Sequence, residues 1–231
     1  MRDDICTIPV SEVFEHNDGC PICRMRDTIE ERMTDYILGD AMMEPDVRIE
    51  TNKTGFCEHH YNNMMSRRGR LQLALMLQTH INEINGEIFK KKLFNTDSKK
   101  TGNAKTITDS CFICSKIEWG LSRMIETVYR CYETQKDFRD MFNSQSMFCL
   151  PHYERLLGGA SKRNMKSYYS EFSENLNRIT GEYSKSLYDD LSKYCTMYDY
   201  RSRDCETDWG NSRDAVERTV AFLNGRIYKE E

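Results

Sequence analysis

The feature that most constrains this chain is a twice-repeated order of cysteine and histidine. Two CxxC pairs occur, Cys20-Pro-Ile-Cys23 and Cys111-Phe-Ile-Cys114, and each is followed by a CxxH, Cys57 with His60 and Cys149 with His152. Thirty-three residues lie between Cys23 and Cys57, and 34 between Cys114 and Cys149. A lone CxxC is a weak signal, whereas two such sets at nearly equal separation suggest a duplicated metal module of about 45 residues. The closing motifs "FCEHHYNNMM" and "FCLPHYERLL" align Phe56 with Phe148, Cys57 with Cys149, His60 with His152 and Tyr61 with Tyr153. His59 then falls opposite Pro151, which cannot bind a metal, so His60 is the expected ligand and His59 a flanking residue. The likeness extends between the motifs, Arg32-Met33 aligning with Arg123-Met124 and Asp46-Val47-Arg48 with Asp137-Phe138-Arg139.

Three thiolates and one imidazole form a closed tetrahedral donor set that suits Zn²⁺. The expected ligands are Cys20, Cys23, Cys57 and His60 in the first module, and Cys111, Cys114, Cys149 and His152 in the second. Each set would leave no open coordination position, which marks a structural ion and not a catalytic one. An iron–sulfur cluster is the alternative, and buried inert thiols that happen to recur are the reading without metal.

Between the motifs, apolar residues recur at helical spacing. Met25, Ile29, Met33 and Tyr36/Ile37 form one stripe, and Ile113, Ile117, Leu121, Ile125 and Val128 another. Met42-Met43 and Pro45 end the first of these helices. Residues 70–94 predict a further helix, with Leu73, Leu77, His80, Ile84 and Ile88 on one side and His80 as a hydrogen-bonded core histidine. The polar run 95–110 reads as a linker. After residues 158–163, a long helix carries Tyr168, Phe172, Leu176, Ile179, Tyr183, Leu187, Leu191 and Tyr194. It serves as a spine for the modules or pairs with another chain. Residues 201–211 read as a loop. Asn211 or Ser212 then caps a last helix with Val216, Val220 and Leu223 on its stripe and Gly225 near its end.

The expected fold is therefore all-α: a helical bundle of two tandem CxxC…CxxH modules plus a long C-terminal spine helix. Its segments are 1–94, a linker at 95–110, a second module at 111–158, and C-terminal helices at 159–231, packed as one unit. With only 4 Pro and 12 Gly in 231 residues, few turn-formers interrupt the helices.

Composition narrows the function classes. The N-terminus has no apolar run of signal-peptide type, and the longest apolar run, residues 73–77, is too short to span a bilayer. A cytoplasmic setting is expected, where ten cysteines are metal ligands and buried thiols before they are disulfides. Net charge is −4, without the broad basic footprint of a nucleic-acid binder. Residues 66–105 nevertheless hold nine Lys/Arg against three acids, and residues 26–58 nine acids against four basic residues. Arg67, Arg68, Arg70, Lys90, Lys91 and Lys92 are the candidate nucleic-acid contacts. No GxSxG, P-loop, dinucleotide fingerprint or HExxH appears, so no catalytic residue is assigned. Cys6, Cys131, Cys195 and Cys205 lack a CxxC partner and read as free thiols.

The runs "ICTIPVSEVFEHNDGCPIC", "MEPDVRIETNKTGFCEHH" and "RLQLALMLQTH", with "DWGNSRDA" near the end, resemble a family of uncharacterised bacterial proteins. This is the domain-of-unknown-function family number 6062, common in anaerobic Gram-positive bacteria. The resemblance covers essentially the whole chain and implies a bacterial cytosolic setting and no particular activity. The leading functional expectation is a non-enzymatic binding or adaptor protein holding two zinc ions, with a protein partner. A nucleic-acid-associated regulator using the basic segment is one alternative, and an iron–sulfur or redox protein the other.

Overall fold

The computed structural model describes residues 8–89, 96–198 and 208–225. Among these residues there are eleven α-helices and no strand: α1 (Ile8–Phe14), α2 (Pro21–Leu38), α3 (Pro45–Thr54), α4 (Glu58–Ser66), α5 (Arg70–Ile84), α6 (Asp97–Thr108), α7 (Phe112–Thr134), α8 (Lys136–Asn143), α9 (Leu150–Gly159), α10 (Tyr169–Tyr198) and α11 (Ala215–Asn224). The all-α expectation is met. No described helix is long and apolar enough to cross a membrane.

The chain divides into two compact units, one made of Arg26–Gly120 and the other of Met1–Met25 with Leu121–Glu231. The second unit has an aromatic core. Phe142 on α8 stacks on Phe14 and Phe148 at ring-centroid distances of 5.7 and 4.9 Å, and meets Tyr132 and Phe172 at 5.1 and 5.0 Å. All five of these rings are buried. Burying a phenylalanine stabilises by about 1.5–3 kcal/mol, and edge or offset contacts between rings add to that. The long helix α10 buries its predicted stripe through Phe172, Leu176, Ile179 and Leu187, and Phe172 joins it to this core. Its start is capped by the Glu133 carboxylate, which accepts from the amides of Ser167 (3.0 Å) and Tyr168 (3.3 Å).

One stripe is placed differently from expectation. On α11 the buried residues are Ala215 and Phe222, while Val216, Val220 and Leu223 face outward. Phe222 packs on Tyr183, and Arg218 ties α11 to α10 through a 2.9 Å ion pair with Asp190. Those two anchors set the rotation of the helix. Its N-cap is Asp214, beyond the expected Asn211 or Ser212, because Gly210–Ser212 form a short 3₁₀ turn first.

The Arg26–Gly120 unit has a smaller, more aliphatic core. Ile37, Leu38, Ala41, Phe56, Met64, Leu73, Met76, Phe112 and Ile113 make its centre. Helix α5 contributes Leu73, Met76 and His80 and passes into a π-helical turn at Asn85–Phe89. The polar run expected to be a linker carries α6 instead. Thr96 caps it by accepting from the Lys99 amide (3.4 Å), Asp97 sits in its first turn and Lys105 in its last. No residue of α6 is buried, so its ends and local propensity define it, not a core face.

Candidate metal centres

All four cysteine motifs open a helix, each in the same way. Cys57 and Cys149 are the N-caps of α4 and α9, in extended conformation. Cys20 and Cys111 stand just before α2 and α7, their carbonyls accepting from the Arg24 (3.3 Å) and Ser115 (3.1 Å) amides. The second member of each motif, Cys23, His60, Cys114 or His152, then lies in the first helical turn. A spacing of three between N-cap and first turn brings two side chains together at the end of a helix, as in a capping box. The helix N-termini also favour negative charge, which suits thiolates.

The eight expected ligands gather into two groups of four, in each of which the ligand atoms lie within 4.8 Å of one another. The grouping differs from the tandem expectation. Cys20 and Cys23 join Cys149 and His152, and Cys57 and His60 join Cys111 and Cys114. The pairing is nested: each CxxC meets the CxxH of the other half of the sequence. Order along the chain cannot distinguish the two arrangements, because both use the same motifs.

Backbone contacts bring the nested partners together. In the Arg26–Gly120 unit the Phe112 amide donates to the Gly55 carbonyl at 3.0 Å, and Ser110 Oγ donates to the Thr54 carbonyl at 2.7 Å. Residues just before Cys57 are thereby bonded to those around Cys111. In the other unit Gln145 Nε2 donates to the Phe14 carbonyl (2.7 Å) and Asn17 Nδ2 to the Ser144 carbonyl (2.9 Å). These bonds join the residues before Cys20 to those before Cys149.

Gly55 shows how closely this is built. It ends α3 at φ +56°, and a Cβ there would come within 2.6 Å of His80 Nε2. His80 is the buried, hydrogen-bonded core histidine expected, its Nδ1 2.7 Å from the Asn52 carbonyl.

The donor spacing can be compared with that around a single ion. Bonds of about 2.3 Å to sulfur and 2.0–2.1 Å to nitrogen give tetrahedral edges of about 3.8 Å between sulfurs and 3.6 Å between sulfur and nitrogen. In the first group Cys23 Sγ lies 3.6 Å from Cys149 Sγ, and His152 Nδ1 lies 3.6, 3.3 and 3.1 Å from Cys20, Cys23 and Cys149. In the second, Cys57 Sγ lies 3.8 Å from Cys114 Sγ, and His60 Nδ1 lies 3.1, 3.3 and 3.5 Å from Cys57, Cys111 and Cys114. Both groups could hold a metal ion.

Their electrostatics agree with that. Burial opposes ionisation of Cys20, yet hydrogen bonds from Cys149, Cys23 and His152 outweigh it and hold the thiol well below its usual range. The same contacts push its neighbours the other way, Cys23 upward and Cys149 to about 12. In the second group, burial likewise opposes but the His60 bond and the Cys114 and Cys57 amides bring Cys111 down to about 6, while burial and Cys111 push Cys114 up. Without a cation, each group thus favours one thiolate at the expense of the others. Three thiolates at this spacing need a compensating positive charge.

The surroundings of the two groups differ. Cys20, Cys23, Cys149 and His152 are all buried, and Gly225, the left-handed cap of α11, lies against them with its carbonyl 3.0 Å from Cys23 Sγ. In the second group His60 and Cys111 are buried, Cys57 is half-buried and Cys114 is exposed.

From the sequence, Glu30 beside Glu31 reads as a surface charge, whereas in the structure it is half-buried. Its Oε1 accepts from His59 Nε2 at 2.6 Å and lies 3.3 Å from His60 Nε2, off the N–H direction, leaving that buried nitrogen without an aligned partner. His60, and then His59, hold the carboxyl down at about 2 against its burial. Glu30, His59 and His60 also fall within 4.8 Å of one another. With His60 Nδ1 turned to the thiols, Glu30 stands as the carboxylate behind a ligand histidine. Helical spacing from Tyr36/Ile37 back to Glu30 gave no hint of this, since His59 and His60 return to it only through the fold.

Three of the candidate nucleic-acid contacts lie among the described residues. Arg67 is held by Asp35 (2.6 Å) and Asn63 (3.0 Å), beside exposed Arg68, and Arg70 opens α5. Lys90, Lys91 and Lys92 lie outside the described residues, as do Cys6 and Cys205. Cys131 is buried, which pushes its thiol up, and Cys195 is exposed.

The chain is thus an all-helical protein with two Cys₃His clusters able to bind metal. The family model of DUF6062, a family of unknown function, matches residues 1–230, and the chain belongs to that family. No curated protein and no solved structure matches it.

Proposed function

We propose that this is a zinc protein without enzymatic activity, in which two structural Cys₃His ions hold a helical scaffold that binds a protein partner. The observation that carries the reading is the donor spacing. Each cluster has sulfurs 3.6 or 3.8 Å apart, the edge length around one tetrahedral ion. The four ligands of an iron–sulfur cluster are shared between at least two irons and cannot all crowd together, whereas here all four donor atoms of each group lie within 4.8 Å of one another, so a mononuclear ion fits better. Four protein ligands leave no position for substrate or water, which supports a structural role. By analogy with zinc-finger peptides, each ion would contribute about 10 kcal/mol of apparent binding free energy at neutral pH.

The nested pairing strengthens the structural reading. Each ion would tie the start of one sequence half to the end of the other, closing a loop of 125 residues between Cys23 and Cys149 and one of 50 between His60 and Cys111, where a tandem module closes 33 or 34. The two halves, by this account, arose by duplication of one CxxC…CxxH unit and exchanged their closing motifs. The outward stripe of Val216, Val220 and Leu223 on α11 supports the adaptor part, because an apolar face at i, i+4, i+7 suits a partner helix.

Elemental analysis and native mass spectrometry of anaerobically purified protein test the metal reading. Two zinc ions per chain and a colourless solution are expected. Iron with visible absorption, or metal-free folded protein, would overturn it. For the partner, Val220→Asp should abolish capture of a bound protein and leave thermal stability unchanged.

A further inference from the structure

Cys57 and Cys114 differ from the other six ligands in being open to solvent while standing close together. Their sulfurs are 3.8 Å apart. Cys57 is half-buried and Cys114 exposed, whereas Cys111 and His60 behind them are buried. In the other cluster the sulfurs of Cys23 and Cys149 are 3.6 Å apart, but both residues are 1% exposed. The two clusters therefore offer nearly the same sulfur geometry with opposite access. Oxidation of cysteine follows thiolate character and exposure. A metal ligand is a thiolate by necessity, and both cysteines also stand at helix N-termini, which favour that form. Exposed Cys195 has the access but no thiol partner among the described residues, and so serves as an internal control.

We propose that Cys57 and Cys114 form a peroxide-sensitive pair, a modification site that opens one metal cluster and leaves the other intact. This rests on the metal reading given above. Cys114 Sγ attacks hydrogen peroxide, the O–O bond breaks, one oxygen stays on sulfur as a sulfenic acid and the other leaves as water after protonation. Cys57 Sγ then attacks that sulfur, the S–O bond breaks, and a second water leaves as a disulfide forms. Overall, the two thiolates lose two electrons to hydrogen peroxide, which takes up two protons from solvent and becomes two waters. The sulfurs must close from 3.8 Å to about 2.05 Å. Only Cys111 and His60 then remain as donors in that cluster, too few for a closed site.

The test uses the full-length, metal-loaded protein. Metal is counted before hydrogen peroxide is added, its release is followed with a chromogenic chelator, and disulfides are mapped by mass spectrometry. One equivalent should leave roughly tenfold or more faster than the other, because exposure controls access of the oxidant. The peptide map should contain a Cys57–Cys114 disulfide, and dithiothreitol with zinc should restore both equivalents. Loss of both equivalents at one rate, a Cys111–Cys114 disulfide in its place, or oxidation of Cys195 alone with both ions retained would overturn the proposal. A protein carrying no metal before oxidant is added would instead overturn the metal reading. Because a Cys57→Ser variant risks losing the ion outright, alkylation of unmutated holoprotein gives a second measure. Cys114 should be modified before Cys20, Cys23 or Cys149, and the reverse order would sink the idea.

Discussion

The two Cys₃His clusters use the same donors and the same helix-capping geometry, yet they sit in different surroundings. Cys20, Cys23, Cys149 and His152 are buried beneath Gly225 in a unit with an aromatic core. Cys57, His60, Cys111 and Cys114 belong to a unit with a smaller aliphatic core, and there one thiol is exposed and a carboxylate stands behind the histidine. The contrast teaches that ligand identity alone does not decide what a metal centre does. A sealed cluster can only support the fold around it, whereas one open at an edge can also exchange or react. At the position aligned with Glu30 the second half of the sequence has Leu121, which is buried and apolar. The repeat thus supplies a carboxylate at this position for the open cluster and a leucine for the other.

The comparison breaks first if the nested pairing is wrong, and that is where the largest effects are expected. Cys149→Ser should lower bound metal by one equivalent and destabilise the fold by several kcal/mol, up to about the 10 kcal/mol of a structural zinc site. Cys23→Ser with His152→Ala should still lose only one equivalent, because both residues serve the same ion. Cys23→Ser with Cys57→Ser should lose two. Tandem modules would give the opposite pattern for Cys23 with Cys57, which would then share an ion. Native mass spectrometry of the two double variants decides between them.

A smaller effect separates the cores from the clusters. Phe142 touches Phe14, Phe148, Tyr132 and Phe172 and is fully buried. Phe142→Ala should cost about 3–5 kcal/mol in chemical denaturation and leave two metal equivalents bound. Loss of metal from this variant at a temperature where it is folded would show that the aromatic core and the buried cluster are one element and not two.

Much of this arrangement was legible in the sequence, for local reasons. The eight ligands follow from residue type and a spacing of three, and the α10 stripe of Phe172, Leu176, Ile179 and Leu187 follows from helical periodicity. What periodicity could not give was rotation where two faces are both apolar. On α11 the contact of Phe222 with Tyr183 and the Arg218–Asp190 pair choose the face opposite Val216, Val220 and Leu223. Nor did composition reveal α6, whose Thr96 cap and terminal charges define a helix with no buried residue. The pairing of motifs and the role of Glu30 were hidden for a third reason. Both depend on contacts between segments far apart in the chain, such as the bond from Phe112 to Gly55.

Glu30 and His59 give the finest test of the contrast between clusters. Glu30→Gln keeps the size of the side chain and removes its charge. Loss of an outer carboxylate typically lowers metal affinity about 10- to 100-fold, roughly 1.4–2.8 kcal/mol. Chelator competition should therefore find the open cluster weakened by that factor and the buried cluster unchanged. His59→Ala should do less. The ring is 55% exposed, and its contact with Glu30 is a partly exposed pair, worth about 1 kcal/mol or less. Both metal equivalents should remain. Removing the 2.6 Å contact with His59 also frees the carboxylate to align with His60 Nε2, now 3.3 Å away. The open cluster should then hold its ion at least as tightly as before. Metal loss from His59→Ala equal to that from His60→Ala would mean that the wrong histidine has been placed among the thiolates, and with it the distinction between an outer and an inner shell at this cluster would fall.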